Sequence, residues 1–152
     1  MSNAQERFPD LPPIWALGLM LAGITLGRLL PPGPFQHPAF GLLGTVLILA
    51  GLALMAWSAL WFRRKRTTIL PGGAPARLIV EGPFRVNRNP IYTGMMLTIS
   101  GAALLWGGPF SLPAVALFPP IVTRRFIRHE EEDLRAAFGE EAGRYFGQSR
   151  RW

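Results

Sequence analysis

Two short polar stretches hold most of the side chains in this sequence that can do chemistry. The first, GPFRVNRNPIYTG at 82–94, sets Arg85 and Arg88 three residues apart and follows them with Asn89, Pro90 and Tyr92. Pro90 suits the first position of a helix, with Asn89 as its N-cap. The stretch therefore delivers two guanidiniums and a helix N-terminus to one place, and both suit a carboxylate or phosphate. Headgroup binding beside an ordinary helix cap is the plainer reading, and spacing alone does not choose. The second stretch, RHEEEDLRAAFGEEAGRYFGQSRRW at 128–152, opens on an acidic cluster of Glu130, Glu131, Glu132 and Asp133. Such a cluster is ordinarily a solvated helix face with weak salt bridges. Glu130, however, lies on the stripe that holds Phe126, Leu134 and Phe138, and a carboxylate on an apolar face is usually paired or bound to something. His129 reads as a surface residue, so no strong general base is evident. Cysteine is absent, which excludes disulfides, thiolate metal sites and a cysteine nucleophile. No metal site is expected.

The elements that must position these stretches are apolar and long. The chain has 152 residues, nearly half of them hydrophobic, in runs too long for a soluble domain of this size. A spanning helix needs about 20 mostly apolar residues. Ile14 to Leu30 is a short span, retained as a helix and not read as a cleavable signal, with Arg28 near enough to the interface to snorkel. Phe40 to Phe62 is uncharged and closed by Trp57 and Trp61 as interface anchors. Ile91 to about Val122 is too long for one span, and Gly107-Gly108-Pro109 breaks it into a hairpin of two helices. Pro113 suits the first turn of the second of these; Pro119 and Pro120 either kink it or end it at the surface. Gly18, Gly23, Gly27, Gly41, Gly44 and Gly51 are expected to let the first two spans pack closely.

Charge sets the expected orientation. The formal net charge is +7. Residues 63–90 hold seven basic side chains and one acid, Glu81, while the loops at 31–39 and 107–109 hold no lysine, arginine or acid. The positive-inside rule then places residues 63–90, the C-terminal tail and the N-terminus on the cytoplasmic side. Arg63-Arg64-Lys65-Arg66 reads as a topology signal that also attracts anionic headgroups. Nucleic acid is a poor fit, because the basic residues flank spans and no basic recognition helix is present. Residues 67–90 read as a proline- and glycine-rich loop. The tail reads as a helix through Phe138, a break at Gly139, and a second short helix carrying Ala142, Tyr145 and Phe146. The expected fold is an all-α integral membrane bundle of about four transmembrane helices with a cytoplasmic helical tail. It divides into residues 1–66, two helices of scaffold, and residues 67–152, the chemical core.

The two polar stretches, separated by an apolar hairpin, resemble the isoprenylcysteine carboxyl methyltransferase family, which is related to the phospholipid methyltransferases. The resemblance rests on Gly82, Pro83, Phe84, Arg85, Arg88, Asn89, Pro90 and Tyr92, then on Glu130, Glu131, Leu134, Phe138, Gly139, Tyr145, Arg151 and Trp152. Thr67-Thr68 and Pro71-Gly72 are also similar to bacterial members. The resemblance implies S-adenosylmethionine, with S-adenosylhomocysteine as product, bound between the loop before the third span and the tail. It implies cofactor contacts from Gly82, Phe84, Arg85, Arg88, Asn89, Pro90, Tyr92, Glu130, Glu131, Tyr145, Arg151 and Trp152, with Arg88, Asn89 and Glu130 nearest the chemistry. The acceptor it implies is a membrane lipid or apolar small molecule bearing a carboxylate, amine or thiol, in a bacterial inner membrane, with no nucleic acid and no identifiable protein partner. Two residues depart from the pattern. Asn89 stands where the eukaryotic enzymes have histidine, and Ala142 where many members have tyrosine. An NADPH-dependent membrane reductase of related fold and a non-catalytic lipid-binding protein are the alternatives.

Overall fold

The computed structural model describes residues 10–30, 38–67 and 76–152. The turn Pro31-Pro32-Gly33-Pro34, His37, and Thr68, Pro71 and Gly72 lie outside the described residues. The helices are α1 (Pro12–Leu29), α2 (Pro38–Lys65), α3 (Pro90–Gly107), α4 (Leu112–Val115), α5 (Phe118–Val122) and α6 (Arg128–Gln148). A π-helical turn, Thr123–Ile127, joins α5 to α6, and short 3-10 turns occupy Gly82–Arg85 and Pro109–Ser111. Among the described residues, sheet-like pairing is confined to one parallel bridge between Asn87 and Arg150. In a bilayer every backbone donor and acceptor must be satisfied within the protein, which leaves the helix as the default for uninterrupted apolar sequence.

Three helical paths are long and apolar enough to cross a membrane: Pro12–Leu29, Pro38–Lys65 and Pro109–Gln148. In the last, the apolar part ends at Val122, and charge begins at Arg124. Together with α3, which is 18 residues long like α1, these form the all-α membrane bundle read from the sequence. Leu17, Leu21, Leu42, Leu49 and Leu52 stand exposed on α1 and α2, where lipid rather than water would cover them. The packed core lies instead around α3, whose Ile99, Ala102, Ala103 and Leu104 are buried.

Glycine brings the helices to that core. A Cβ at Gly51 would lie 2.5 Å from the Gly94 carbonyl oxygen, one at Gly44 2.7 Å from that of Gly101, and one at Gly23 2.7 Å from that of Ser111. Backbone stands where a side chain would go, so these contacts exclude alanine without a shift of whole helices. Gly18 is different: its Cβ would meet nothing within 4 Å.

Gly107 ends α3 and Gly108, at φ 68°, turns the hairpin. Pro119 and Pro120 sit in the first turn of α5, after a break at Ala116–Leu117. The prolines therefore kink the path and do not end it, since the chain runs on helically to Gln148. Gly139, with φ 51° and ψ −121°, breaks α6 where the sequence placed a break. At the hairpin end Arg28 Nε donates to the Trp106 carbonyl at 3.1 Å, placing a cation at the C-terminus of α3. The other end collects Asp10, the end of α2, residues 76–89, the π-turn and α6, so the polar segments share one end of the bundle.

Candidate functional site

The loop before α3 and the last residues of the described chain are tied together by backbone. Arg88 N donates to the Arg150 carbonyl at 2.8 Å, and Arg150 N donates to the Val86 carbonyl at 2.9 Å. Asn87 shapes the approach to α3: its Oδ1 accepts from Asn89 N at 2.7 Å, and its Nδ2 donates to Thr93 Oγ1 at 2.6 Å. Asn89 takes the N-cap position with Pro90 in the first turn, but it makes no side-chain cap. Its Nδ2 donates across to the Arg151 carbonyl at 2.9 Å. An asparagine here is thus an amide donor fixing the tail, a bond an imidazole N–H could also make.

Against this frame lie the two carboxylates of α6. Glu131 is 5% exposed. Arg151 grips it with both prongs, Nε to Oε1 at 2.9 Å and Nη2 to Oε2 at 2.7 Å, and Arg88 Nη1 stands 3.6 Å from Oε1. Burial alone would push the Glu131 carboxyl up; the Arg151 hydrogen bonds and the charges of Arg151, Arg88 and Arg135 outweigh it and hold it below the ordinary glutamate range. Glu130 has the opposite balance. Burial pushes it up, the Tyr92 hydrogen bond at 2.5 Å opposes that, and repulsion from Asp133 and Glu131 adds to the rise. The two adjacent glutamates are therefore held apart in proton affinity.

Arg88 is the hinge of the arrangement. Its side chain is 15% exposed. Its guanidinium carbon lies 4.9 Å from the Phe146 ring centroid, and Arg135 lies 5.0 Å from the same ring. Arg88 Nε is buried and has no hydrogen-bond partner, which is costly unless a ligand acceptor completes it. Trp152 packs on the apolar cluster of Tyr92, Val122, Phe126 and Ile127, and its Nε1 donates to Thr123 Oγ1 at 3.2 Å. That cluster is the roof of the bundle core, directly beneath the charged groups.

A second cluster flanks the first. Tyr145 OH donates to the Phe84 carbonyl at 2.7 Å, both residues being buried, and Phe84 meets Phe62 edge-on at 5.5 Å. Burial pushes the Tyr145 hydroxyl up to about 12. Gly82, at φ 59°, packs against the Trp61 indole, and no Cβ would fit there. Arg85 is exposed. It lines a cleft of about 560 Å³ with Glu81, Gly82, Glu141, Arg144, Tyr145 and Gln148.

The sequence-derived residues therefore divide three ways. Arg88, Asn89, Pro90, Tyr92, Glu130, Glu131, Arg151 and Trp152 converge at one end of α3. Phe84, Gly82 and Tyr145 form the flanking cluster, and Arg85 faces the neighbouring cleft. His129 is exposed. Asn87, Thr123 and Ser149, the last of which donates to the Tyr145 carbonyl at 2.7 Å, belong to the construction but were not singled out by sequence, and Phe146 was read there only as a residue of the second tail helix. Asn87 carried a signal, an asparagine two residues before another at a helix start, where Asx turns form. Among the described residues no group of three or more metal-ligating side chains occurs.

Comparison with known proteins takes in the whole first polar stretch and the second as far as Glu141. The family model for phospholipid methyltransferase matches residues 39–141, from the start of α2 into the second half of α6. No curated protein and no solved structure matches the chain.

Proposed function

The chain belongs to the phospholipid methyltransferase family, and from that premise we propose that it transfers a methyl group from S-adenosylmethionine to a lipid-like acceptor drawn from the bilayer. Membership makes it a membrane methyltransferase; the donor, the acceptor and the residues below are the proposal. The observation that carries it is unspent bonding capacity beside the bonded frame of Asn89, Glu131 and Arg151; among the described residues Trp61 Nε1, in the flanking cluster, is the other buried side-chain donor without a partner. Arg88 Nε is buried without an acceptor. Glu130, among the described residues, accepts only from Tyr92. Both lie where the apolar core meets the charged end of the bundle.

These groups fit the cofactor's chemistry. Arg88 would hold its carboxylate, Glu130 its ammonium or ribose hydroxyls, and the half-buried face of Trp152 suits an aromatic base or a sulfonium, while the Phe146 ring is taken by Arg88 and Arg135. Asn89, Glu131 and Arg151 are already bonded to one another and serve as the frame. When bound, S-adenosylmethionine supplies a methyl carbon activated by its sulfonium. The protein's task is then to align the acceptor and exclude water. Tyr92 orients Glu130, and the buried apolar cluster below closes the site to water from that side. A carboxylate or thiolate acceptor needs no base; an amine must arrive neutral, because exposed His129 is not placed to take its proton. The basic balance of residues 63–90 supports a cytoplasmic position for this end.

The test is calorimetric titration of the purified protein with S-adenosylhomocysteine, in detergent and in lipid discs, beside Arg88→Met and Glu130→Gln. Micromolar binding that both variants weaken supports the reading. Absence of binding in both environments would overturn it. Transfer of labelled methyl groups into a lipid extract then identifies the acceptor class.

A further inference from the structure

We propose that the π-turn Thr123–Ile127 sets the direction of Glu130 and Glu131, and that Asp10, Trp15 and Arg125 are positioning residues that hold it. This rests on the reading above that the two carboxylates serve the cofactor site; the clamp itself lies outside that site.

The π-turn is defined by Arg128 N donating to the Thr123 carbonyl, five residues back. Such a turn carries one residue more than an α-helical turn and recurs at functional sites. Its effect here is rotational. On an unbroken α-helix running from buried Val122, Phe126 stays on the inner face, while Ile127 turns away by one residue's step, roughly 100°. Glu131, four beyond Ile127, would leave with it. With the π-turn, both Phe126 and Ile127 are buried, 6% and 0% exposed. Glu130 then follows Phe126 to Tyr92, and Glu131 follows Ile127 to Arg88 and Arg151. Two adjacent carboxylates reach inward where an α-helix would present one.

The turn is gripped from both sides. Arg125, in its middle, donates from Nε and Nη2 to Asp10 Oδ2 at 3.1 and 2.6 Å. Trp15 Nε1 donates to Asp10 Oδ1 at 2.7 Å, and the Arg125 guanidinium lies 5.0 Å from the Trp15 ring centroid. On the other side, Thr123 receives the Trp152 indole N–H. Trp15 itself packs on the core cluster, so α1 carries the grip as a rigid body. The Arg125 and Asp10 side chains are 49% and 36% exposed. A pair that wet contributes little to global stability, so its consequence should be local, at the turn.

The experiment uses the full chain in lipid discs. Asp10→Asn and Arg125→Met are compared with the charge swap Asp10→Arg with Arg125→Asp, and with Lys65→Met, which breaks the Lys65–Glu81 pair at the same end. Hydrogen–deuterium exchange is followed across residues 123–134, and S-adenosylhomocysteine affinity by calorimetry. Expected are faster exchange in the turn and roughly tenfold weaker binding in both single variants, partial recovery of both in the swap, which restores the ion pair but not the Trp15 contacts, and neither effect in Lys65→Met. Unchanged exchange in the turn, or a loss of affinity that Lys65→Met reproduces, would overturn the proposal. Failure of the unmodified protein to bind would instead overturn the cofactor reading, and the exchange measurement would still decide whether the clamp holds the turn.

Discussion

Replacing Glu131 by alanine should destabilise the protein by about 3 kcal/mol, more than any change to the arginines that hold it. The carboxylate is 5% exposed and accepts two hydrogen bonds from Arg151, with Arg88 Nη1 3.6 Å away. Its loss leaves two guanidiniums facing each other without an anion. Arg88, 15% exposed, cannot swing fully into water, and removing one member of a buried pair costs roughly 3–5 kcal/mol. Arg151 is 39% exposed and recovers hydration, which draws the figure to the lower end. Arg151→Met is the contrast. It leaves Glu131 beside Arg88 and removes a partly hydrated cation, for about 1–2 kcal/mol. Unfolding in mixed micelles by added ionic detergent, followed by tryptophan fluorescence, gives both values. Should Arg151→Met cost as much as Glu131→Ala, the carboxylate is not the group that organises this end, and the reasoning fails.

Three further outcomes follow from the same geometry. Because Glu131's pKa is lowered in the fold, its stabilisation is fully present above the ordinary glutamate range and is lost as pH falls through the lowered value; melting curves should therefore fall in acid for the parent protein and fall less for Glu131→Gln. Gly101→Ala should cost about 1–3 kcal/mol, because its Cβ would meet α2 backbone at the Gly44 carbonyl, while Gly18→Ala, in open space, should stay within about 0.5 kcal/mol; equal effects in the two would discount the close packing of α2 on α3. Tyr92→Phe removes the hydrogen bond that lowers Glu130's pKa, so the acid limb of S-adenosylhomocysteine affinity should move to higher pH, and an unmoved limb would separate Glu130 from ligand binding.

The spans were legible because lipid leaves an apolar run few options. Gly107-Gly108-Pro109 marked the hairpin, Gly139 marked the break in α6, and the lone charge of Arg28 marked an interface, each for a local reason that needs no tertiary knowledge. The lateral bonds were not legible. Nothing in the spacing of Asn89 says that its amide reaches Arg151, 62 residues on, or that Arg151 would saturate Glu131. Pairing across the bundle depends on where α3 and α6 come to rest, and that is set by backbone contacts such as Gly51 with Gly94. Nor did composition decide between a kink and an end at Pro119 and Pro120. Tertiary packing decided it, by burying Phe118, Val122, Phe126 and Ile127 on the far side of the break.

The two glutamates show why the remainder escaped a helical reading. Periodicity of four from Phe126 selects Glu130 as the inward carboxylate and leaves Glu131 to solvent, as an α-helix would. The π-turn adds one residue to the helix and opens a second inward row, beginning at Ile127. Glu131 occupies that row and is the more buried of the pair. Its neighbours then sort the two by charge: Glu131 among three arginines is held ionised and structural, while Glu130, bonded to a neutral phenol and pushed up by burial and by its acidic neighbours, keeps a proton affinity that a cationic ligand would lower. Binding of such a ligand should accordingly draw the Glu130 carboxyl back down, so ligand affinity should weaken as pH falls in the parent protein and lose that dependence in Glu130→Gln. A frame that fixes one carboxylate frees the other to respond, and the turn that makes both possible lies three residues upstream of them, held by a residue from before the first helix.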